Sequence, residues 1–112
     1  MDCLFCKIVE GTIPSKAVHR DERTYAFADI NPQAPVHFLV VPVEHIPSVA
    51  HAGGEHTEVL GHLLLAAADI ARSKGLENGY RLVINSGRDA GQTVDHLHVH
   101  VLGGRHLTWP PG

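Results

Sequence analysis

The sequence predicts an α+β fold: an antiparallel five-stranded sheet with one long helix and a short N-terminal helix. Three observations point there. Val59, Leu60, Leu63, Leu64, Ala67, Ile70 and Ala71 recur at three- and four-residue intervals, which lays one apolar stripe along a helix. Elsewhere the apolar residues come in short, β-branched runs cut by Pro, Gly, Asn and Asp, the pattern of strands and turns. The chain has 112 residues, 44% of them hydrophobic, which supports one core and leaves no room for two, so residues 1–112 read as a single domain.

Residues 3–9 are mostly apolar and stop at Glu10-Gly11, consistent with a single short helix. Residues 17–20 and 23–29 read as two strands around the polar turn Asp21-Glu22. Asn31-Pro32-Gln33-Ala34-Pro35 is a loop, because two prolines remove two ladder donors. Phe38 to Val41 reads as a buried strand closed by Pro42, and Pro47 and Gly53-Gly54 keep the next stretch irregular. The long helix is expected from about Glu55 to Lys74. Glu55 and Glu58 lie in its first turn and Arg72 and Lys74 in its last, in accord with the helix dipole, and Gly75 serves as a C-terminal cap. Strands are expected at Tyr80 to Asn85 and His96 to Leu102, with a small, polar loop from Ser86 to Thr93 between them.

Composition excludes several classes of function. The formal net charge is −3 and only 9 Lys and Arg occur, scattered along the chain, so no basic face for nucleic acid is expected. No apolar run approaches the roughly 20 residues of a membrane span, and no basic-then-apolar leader pattern stands at the N-terminus. A soluble cytoplasmic protein is the expectation, with no membrane partner. The 2 cysteines, Cys3 and Cys6, form a Cys-x-x-Cys and no disulfide framework. They read as plain thiols, as a redox pair lacking the usual βαβ context, or as half of a metal site completed by histidines.

Histidine is the unusual residue: 10 occur, more than Lys and Arg together. In His96-Leu97-His98-Val99-His100-Val101-Leu102 a strand would put His96, His98 and His100 on one face and Leu97, Val99 and Val101 on the other. Such a row suits ligands to one metal, or a nucleophile flanked by its orienting and proton-handling partners. The bland alternative is an exposed histidine-rich strand. Immediately upstream, Asn85-Ser86-Gly87 and Ala90-Gly91-Gln92-Thr93 form a turn-rich loop in which glycine N–H groups, Asn85 and Thr93 can approach an anion.

The row matches the His-φ-His-φ-His-φ-φ signature, φ being apolar, and the chain here resembles the histidine triad (HIT) family. Phe5-Cys6-Lys7-Ile8, Phe27-Ala28-Asp29-Ile30, Pro35 through Pro42, Asn85-Ser86-Gly87, Leu102 through Arg105 and Trp109-Pro110-Pro111-Gly112 are similar to its nucleoside phosphoramidase branch, so the likeness spans the whole chain. It implies a HIT-like fold and a purine nucleoside phosphoramidate hydrolase acting on adenosine or guanosine 5′-phosphoramidates. His98 would attack the α-phosphorus and pass through a covalent nucleotidyl-histidine; His100 would hold the developing charge. Asn85 and Thr93 match positions contacting the phosphate and leaving group, and His37 matches a further supporting histidine. Threonine stands at position 93 where that branch usually has serine. Gly91 and Gln92 fall in the phosphate-contacting loop. Asp29 matches the ribose-binding carboxylate, with Phe5, Ile8, Phe27 and Ile30 around the purine. Without the resemblance, Phe5, Ile8 and Phe27 read as ordinary core.

The resemblance also implies structural zinc, held by Cys3, Cys6, His45 and His96, a closed Cys₂His₂ set that leaves His98 and His100 to the chemistry. It implies a homodimer in which the tail carrying Trp109 reaches the partner's nucleotide site. A dinucleoside polyphosphate hydrolase or nucleotidyl transferase, a nucleotide-binding regulatory protein and a three-histidine zinc hydrolase are the alternatives. His51, His56, His62 and His106 receive no role and read as surface residues.

Overall fold

The structure, a computed structural model, describes residues 2–112. Its elements follow the expected order: α1 (Leu4–Glu10), β1 (Ala17–Arg20), β2 (Thr24–Ala28), β3 (Val36–Pro42), α2 (Thr57–Ser73), β4 (Tyr80–Val83) and β5 (Val99–Gly103). Short 3₁₀ turns stand at Val49–His51, Gly54–His56 and Arg88–Ala90. The strands form one antiparallel sheet in the order β1-β2-β3-β5-β4. Among the described residues no helix is long and apolar enough to cross a membrane.

The two helices lie on opposite faces because side chains alternate along the strands. Ala26, Phe38, Val40, Val99 and Val101 pack with Leu63, Ala67 and Ile70 of α2. Tyr25, Phe27, Leu39 and Val41 pack with Phe5, Ile8 and Val9 of α1. Hence α1, though short, covers the second face of the sheet.

The local chemistry of each boundary is visible. Cys3 caps α1, its sulfur accepting from the Cys6 N–H at 3.4 Å, and Gly11 closes it in the left-handed conformation (φ 87°). The β1–β2 turn is held by Asp21, whose Oδ1 accepts from the Arg23 and Thr24 N–H groups. At the end of α2 the Gly75 N–H bonds the Arg72 carbonyl and the Leu76 N–H the Ala71 carbonyl, while Leu76 is buried. That is a Schellman motif, and it needs the positive φ of Gly75.

Five expectations are corrected. Helix α2 begins at Thr57, since Glu55 belongs to the preceding 3₁₀ turn, and Leu64 faces outward with Leu65, at 43% and 69% exposure. Strand β3 begins at Val36 and so includes His37. Strand β4 ends at Val83, leaving Asn85 outside the ladder. Strand β5 begins at Val99 rather than His96. There the facing strand runs out of pairing groups: Pro42 has no N–H, its carbonyl accepts from the His96 ring, and the Leu97 N–H turns to the Ile46 carbonyl.

Candidate active site

The alternation of the histidine row survives without the ladder. Leu97, Val99 and Val101 are buried in the α2-side core, and His96, His98 and His100 face the α1 side. His98 is buried, its ring centroid 5.1 Å from that of Phe5 and 5.0 Å from that of His100. Its Nδ1 lies 2.7 Å from the His96 carbonyl oxygen, which only accepts. Nδ1 therefore carries the proton, and the lone pair sits on Nε2.

The same deduction runs from β3. The Gln33 backbone N–H donates to His37 Nδ1 at 3.0 Å, so the His37 proton sits on Nε2. That Nε2 lies 3.0 Å from His100 Nδ1 and 3.3 Å from Asp29 Oδ2. Donating to His100 Nδ1, it puts the His100 proton on Nε2. The contact arises from the register: His37 pairs with Leu102, which makes His100 its diagonal neighbour on the same face. Burial lowers the pKa of His37, with Asp29 opposing. Burial, then His98 and His37, pulls His100 down to about 4, again against Asp29. Both rings are therefore neutral at pH 7. Asp29 is half-buried, and its other oxygen caps the following turn through the Asn31 N–H.

The loop after β4 is braced by one side chain. Gln92 accepts from the Gly87 N–H at 2.8 Å and donates to the carbonyls of Pro47 and Val94 at 2.7 and 3.0 Å. Its amide is committed to backbone, so it shapes the loop expected to meet phosphate. Ser86 Oγ accepts from the Ala50 N–H and ties the loop to the same neighbour. Among the described residues, the side chains of Asn85 and Thr93 have no hydrogen-bond partner, and Gly91 is exposed with φ 87°.

The four sulfur and nitrogen donors of Cys3, Cys6, His45 and His96 all lie within 4.8 Å of one another. Cys3 Sγ is 3.3 Å from His96 Nδ1, Cys6 Sγ is 3.4 Å from His45 Nδ1, and the two Nδ1 atoms are 3.2 Å apart. A tetrahedral ion with bonds of about 2.3 Å to sulfur and 2.0 Å to nitrogen has donor–donor edges of roughly 3.3–3.8 Å, so the set fits. His96 Nε2 donates to the Pro42 carbonyl at 2.9 Å, which leaves Nδ1 free to ligate an ion and would give that ligand an outer-shell partner. Burial lowers the His96 pKa, the Pro42 bond opposes, and His45 and His98 add to the lowering. Burial, then the bond and charge of Cys3, raises the Cys6 thiol to about 11, and a bound cation reverses that preference. Asp29, His37 and His100 also cluster within 4.8 Å, but the Gln33 N–H on His37 Nδ1 keeps a proton on its Nε2. That group is a hydrogen-bonded relay and not a ligand set.

The other expected nucleoside residues are split. Phe5, Ile8 and Phe27 are buried in the α1-side core, Phe5 with one edge on His98, whereas Ile30 is fully exposed at 101% and Trp109 at 80%. His51 is exposed and His56 and His62 are half-buried at the surface, and each has a hydrogen-bond partner. His51 bonds Ser48 Oγ, His56 accepts from the Gly53 N–H and donates to Glu44, and His62 donates to Asp21. The sequence reading missed Gln33, Arg105 and the carbonyls of Pro42 and His96. Only the rigid Pro32–Pro35 loop and the Gly103-Gly104-Arg105 turn offered a signal.

A family model described as "Scavenger mRNA decapping enzyme C-term binding" matches residues 2–108. A protein of Synechococcus elongatus named an uncharacterized HIT-like protein is 52% identical over 111 residues, covering 99% of this chain and 97% of its own. The crystal structure of a HIT family hydrolase from Legionella pneumophila superposes with a TM-score of 0.98 at 47% identity, over 99% of this chain and 100% of that one. A histidine triad nucleotide-binding protein from Candida albicans superposes at 0.83 and 31% identity, over 97% and 83%. With its row of histidines at 96, 98 and 100 and a family model matched over nearly its full length, this chain belongs to the histidine triad family.

Proposed function

We propose that the protein is a purine nucleoside phosphoramidate hydrolase acting through a nucleotidyl-histidine at His98. The observation that carries the reading is the proton placement: His98 gives Nδ1–H to the His96 carbonyl and keeps a lone pair on Nε2, beside a neutral His100 with its proton on Nε2. A nucleophile and a donor for a phosphoryl oxygen then stand side by side in the site. The neighbours named HIT family hydrolase and histidine triad nucleotide-binding protein support a nucleotide hydrolase.

In the first step His98 Nε2 bonds to the α-phosphorus, the P–N bond breaks, and the amine departs with a proton taken from solvent. In the second, water attacks the phosphorus, the N–P bond to His98 breaks, the water's proton returns to solvent, and a nucleoside monophosphate leaves. His100 Nε2–H and the free polar groups of Asn85 and Thr93 hold the phosphoryl oxygens and the departing amine. Asp29 accepts from the ribose hydroxyls, and Ile30, fully exposed in the free protein, covers the purine with Phe5, Ile8 and Phe27.

Zinc is the ion we assign to Cys3, Cys6, His45 and His96. A closed set of four protein ligands leaves no open position, so the ion's contribution is structural. We assign a two-fold dimer through edge strand β4, where Tyr80 and Leu82, with Ile84 just past the strand's end, stand exposed at alternate positions. The test is intact-protein mass after a brief acid quench with adenosine 5′-phosphoramidate, for wild type and His98→Ala. A transient adduct of one AMP in wild type and none in the variant is expected. Wild type with neither adduct nor hydrolysis refutes the phosphoramidase reading.

A further inference from the structure

The turn after β5 has no part in the chemistry above, yet it is built against the loop that holds His37. Arg105 donates through Nε and Nη2 to the Gln33 carbonyl, at 3.1 and 2.9 Å. One residue back, Gly104 adopts φ 92°, and a Cβ there would lie 2.9 Å from Pro35 Cβ. Two contacts of different kinds, one polar and one steric, thus seat the turn on loop 31–35. The peptide whose carbonyl Arg105 does not touch matters as much: the Gln33 N–H is the donor that decides where the His37 proton sits. From there the chain runs through His37 Nε2 to His100 Nδ1. The same His37 proton has a rival acceptor in Asp29 Oδ2 at 3.3 Å, so the pairing with His100 depends on the orientation of the ring.

We propose that Arg105 is a positioning residue: by holding Gln33 it keeps the Gln33 N–H on His37 Nδ1, so that His37 donates to His100 and His100 presents its Nε2–H to the phosphoryl group. Arg105 touches neither nucleotide nor reacting atoms. Its guanidinium is exposed, and its bonds go to backbone carbonyls, so removing it leaves the core intact. Without the clamp, loop 31–35 loses its fixed seat. The Gln33 N–H drifts from His37 Nδ1, and the His37 ring becomes free to take the other tautomer or to turn wholly to Asp29. His100 Nδ1 then lacks a fixed donor, and its proton is shared between its two nitrogens.

The test records long-range ¹H–¹⁵N correlations of the histidine rings in the full-length protein, with steady-state kinetics alongside, for wild type, Arg105→Ala, Arg105→Lys and Gly104→Ala. Wild type is expected to show both His37 and His100 protonated at Nε2. Arg105→Ala is expected to show mixed tautomers at both rings and a kcat lowered about tenfold with KM little changed, the signature of a misplaced group. Arg105→Lys, which keeps a donor for the Gln33 carbonyl, recovers part of both signals. Gly104→Ala, which forces the turn off Pro35, reproduces the tautomer change without touching the guanidinium. Wild-type tautomers that differ from this pattern, or tautomers unchanged in Arg105→Ala, overturn the inference, as does a fall in thermal stability alone. The kinetic arm rests on the phosphoramidase reading. The spectra need no substrate, so a protein that hydrolyses no phosphoramidate still decides the role of Arg105.

Discussion

Lowering the pH from 7 to 5 is expected to cost about 2 kcal/mol of folding stability through His100 alone. Burial, with His98 and His37 adding and Asp29 opposing, holds its pKa at about 4. An unfolded histidine titrates near 6.5. Between those values the unfolded chain binds a proton that the folded ring refuses, so stability rises with pH across the window and falls as the pH drops. The contribution is nearly complete above pH 6.5, smaller by about 2 kcal/mol at pH 5 and by about 3 kcal/mol at pH 4. Urea unfolding of wild type and His100→Asn, at fixed ionic strength from pH 7.5 to 4.5, isolates the effect if the m-value stays constant. The lowered pKa values of His37 and His96 act in the same direction in both proteins. Asp21 does not interfere: burial raises its pKa, but bonds from Thr24, His19, the Arg23 N–H and His62 hold it well below the usual carboxylate range. Its stabilisation is therefore present above about pH 4 and is lost only below it. The wild-type curve should be the steeper of the two. Parallel curves would mean that His100 is not held neutral, and the donor role argued for it would fall as well.

Replacing Gln92 by Leu removes the brace of the Gly87–Val94 loop: the Gly87 N–H loses its acceptor and the Pro47 carbonyl its side-chain donor, while the Val94 carbonyl keeps the His96 N–H. A loss of about 1–3 kcal/mol in denaturant unfolding is expected, together with a lower kcat; an unchanged kcat would show that the loop keeps its shape without it. Protein prepared without added chelator should contain zinc by elemental analysis, and Cys6→Ser or His45→Ala should lose it. Chelation should lower Tm while leaving the metal-free chain able to form the His98 adduct. Leu82→Asp places a charge on the exposed apolar row of β4 and should convert a dimer to a monomer in sedimentation velocity. A monomeric wild type refutes that assignment.

Helix α2 was legible because its stripe is carried within one segment, and its end because Gly75 combines a positive φ with a buried Leu76 after it. The start of β5 was not legible from the same kind of pattern. Whether His96 joins a ladder is decided by Pro42, fifty-four positions earlier, through a missing N–H and a carbonyl already taken by the His96 ring. The role of Gln92 within its loop was not legible either: its amide bonds backbone groups of Gly87, Pro47 and Val94, because the irregular loop must satisfy its own polar groups. The partners of His51, His56 and His62 gave no signal of their own, since Ser48, Glu44 and Asp21 are unremarkable until the fold brings them near. The Cys-x-x-Cys and His45 were legible as candidates only with the family pattern in view; their convergence on His96 comes from the packing of α1 under the sheet.

The three histidines of the row have one side chain and three chemistries, and backbone atoms divide the work among them. The Pro42 carbonyl takes the Nε2–H of His96, so its Nδ1 lone pair turns to the two thiols. The His96 carbonyl takes the Nδ1–H of His98, so the lone pair there emerges on Nε2. His100 receives a proton from His37 at Nδ1 and so offers one at Nε2. His96 belongs to two of these arrangements at once, with its ring in the thiol cluster and its carbonyl on His98. Anything that moves the His96 backbone therefore reaches the His98 ring through one hydrogen bond of 2.7 Å, without changing a residue in the site. With zinc held as proposed by Cys3, Cys6, His45 and His96, that link would give the ion a consequence for chemistry it takes no part in: the ion would fix a carbonyl, and the carbonyl a tautomer.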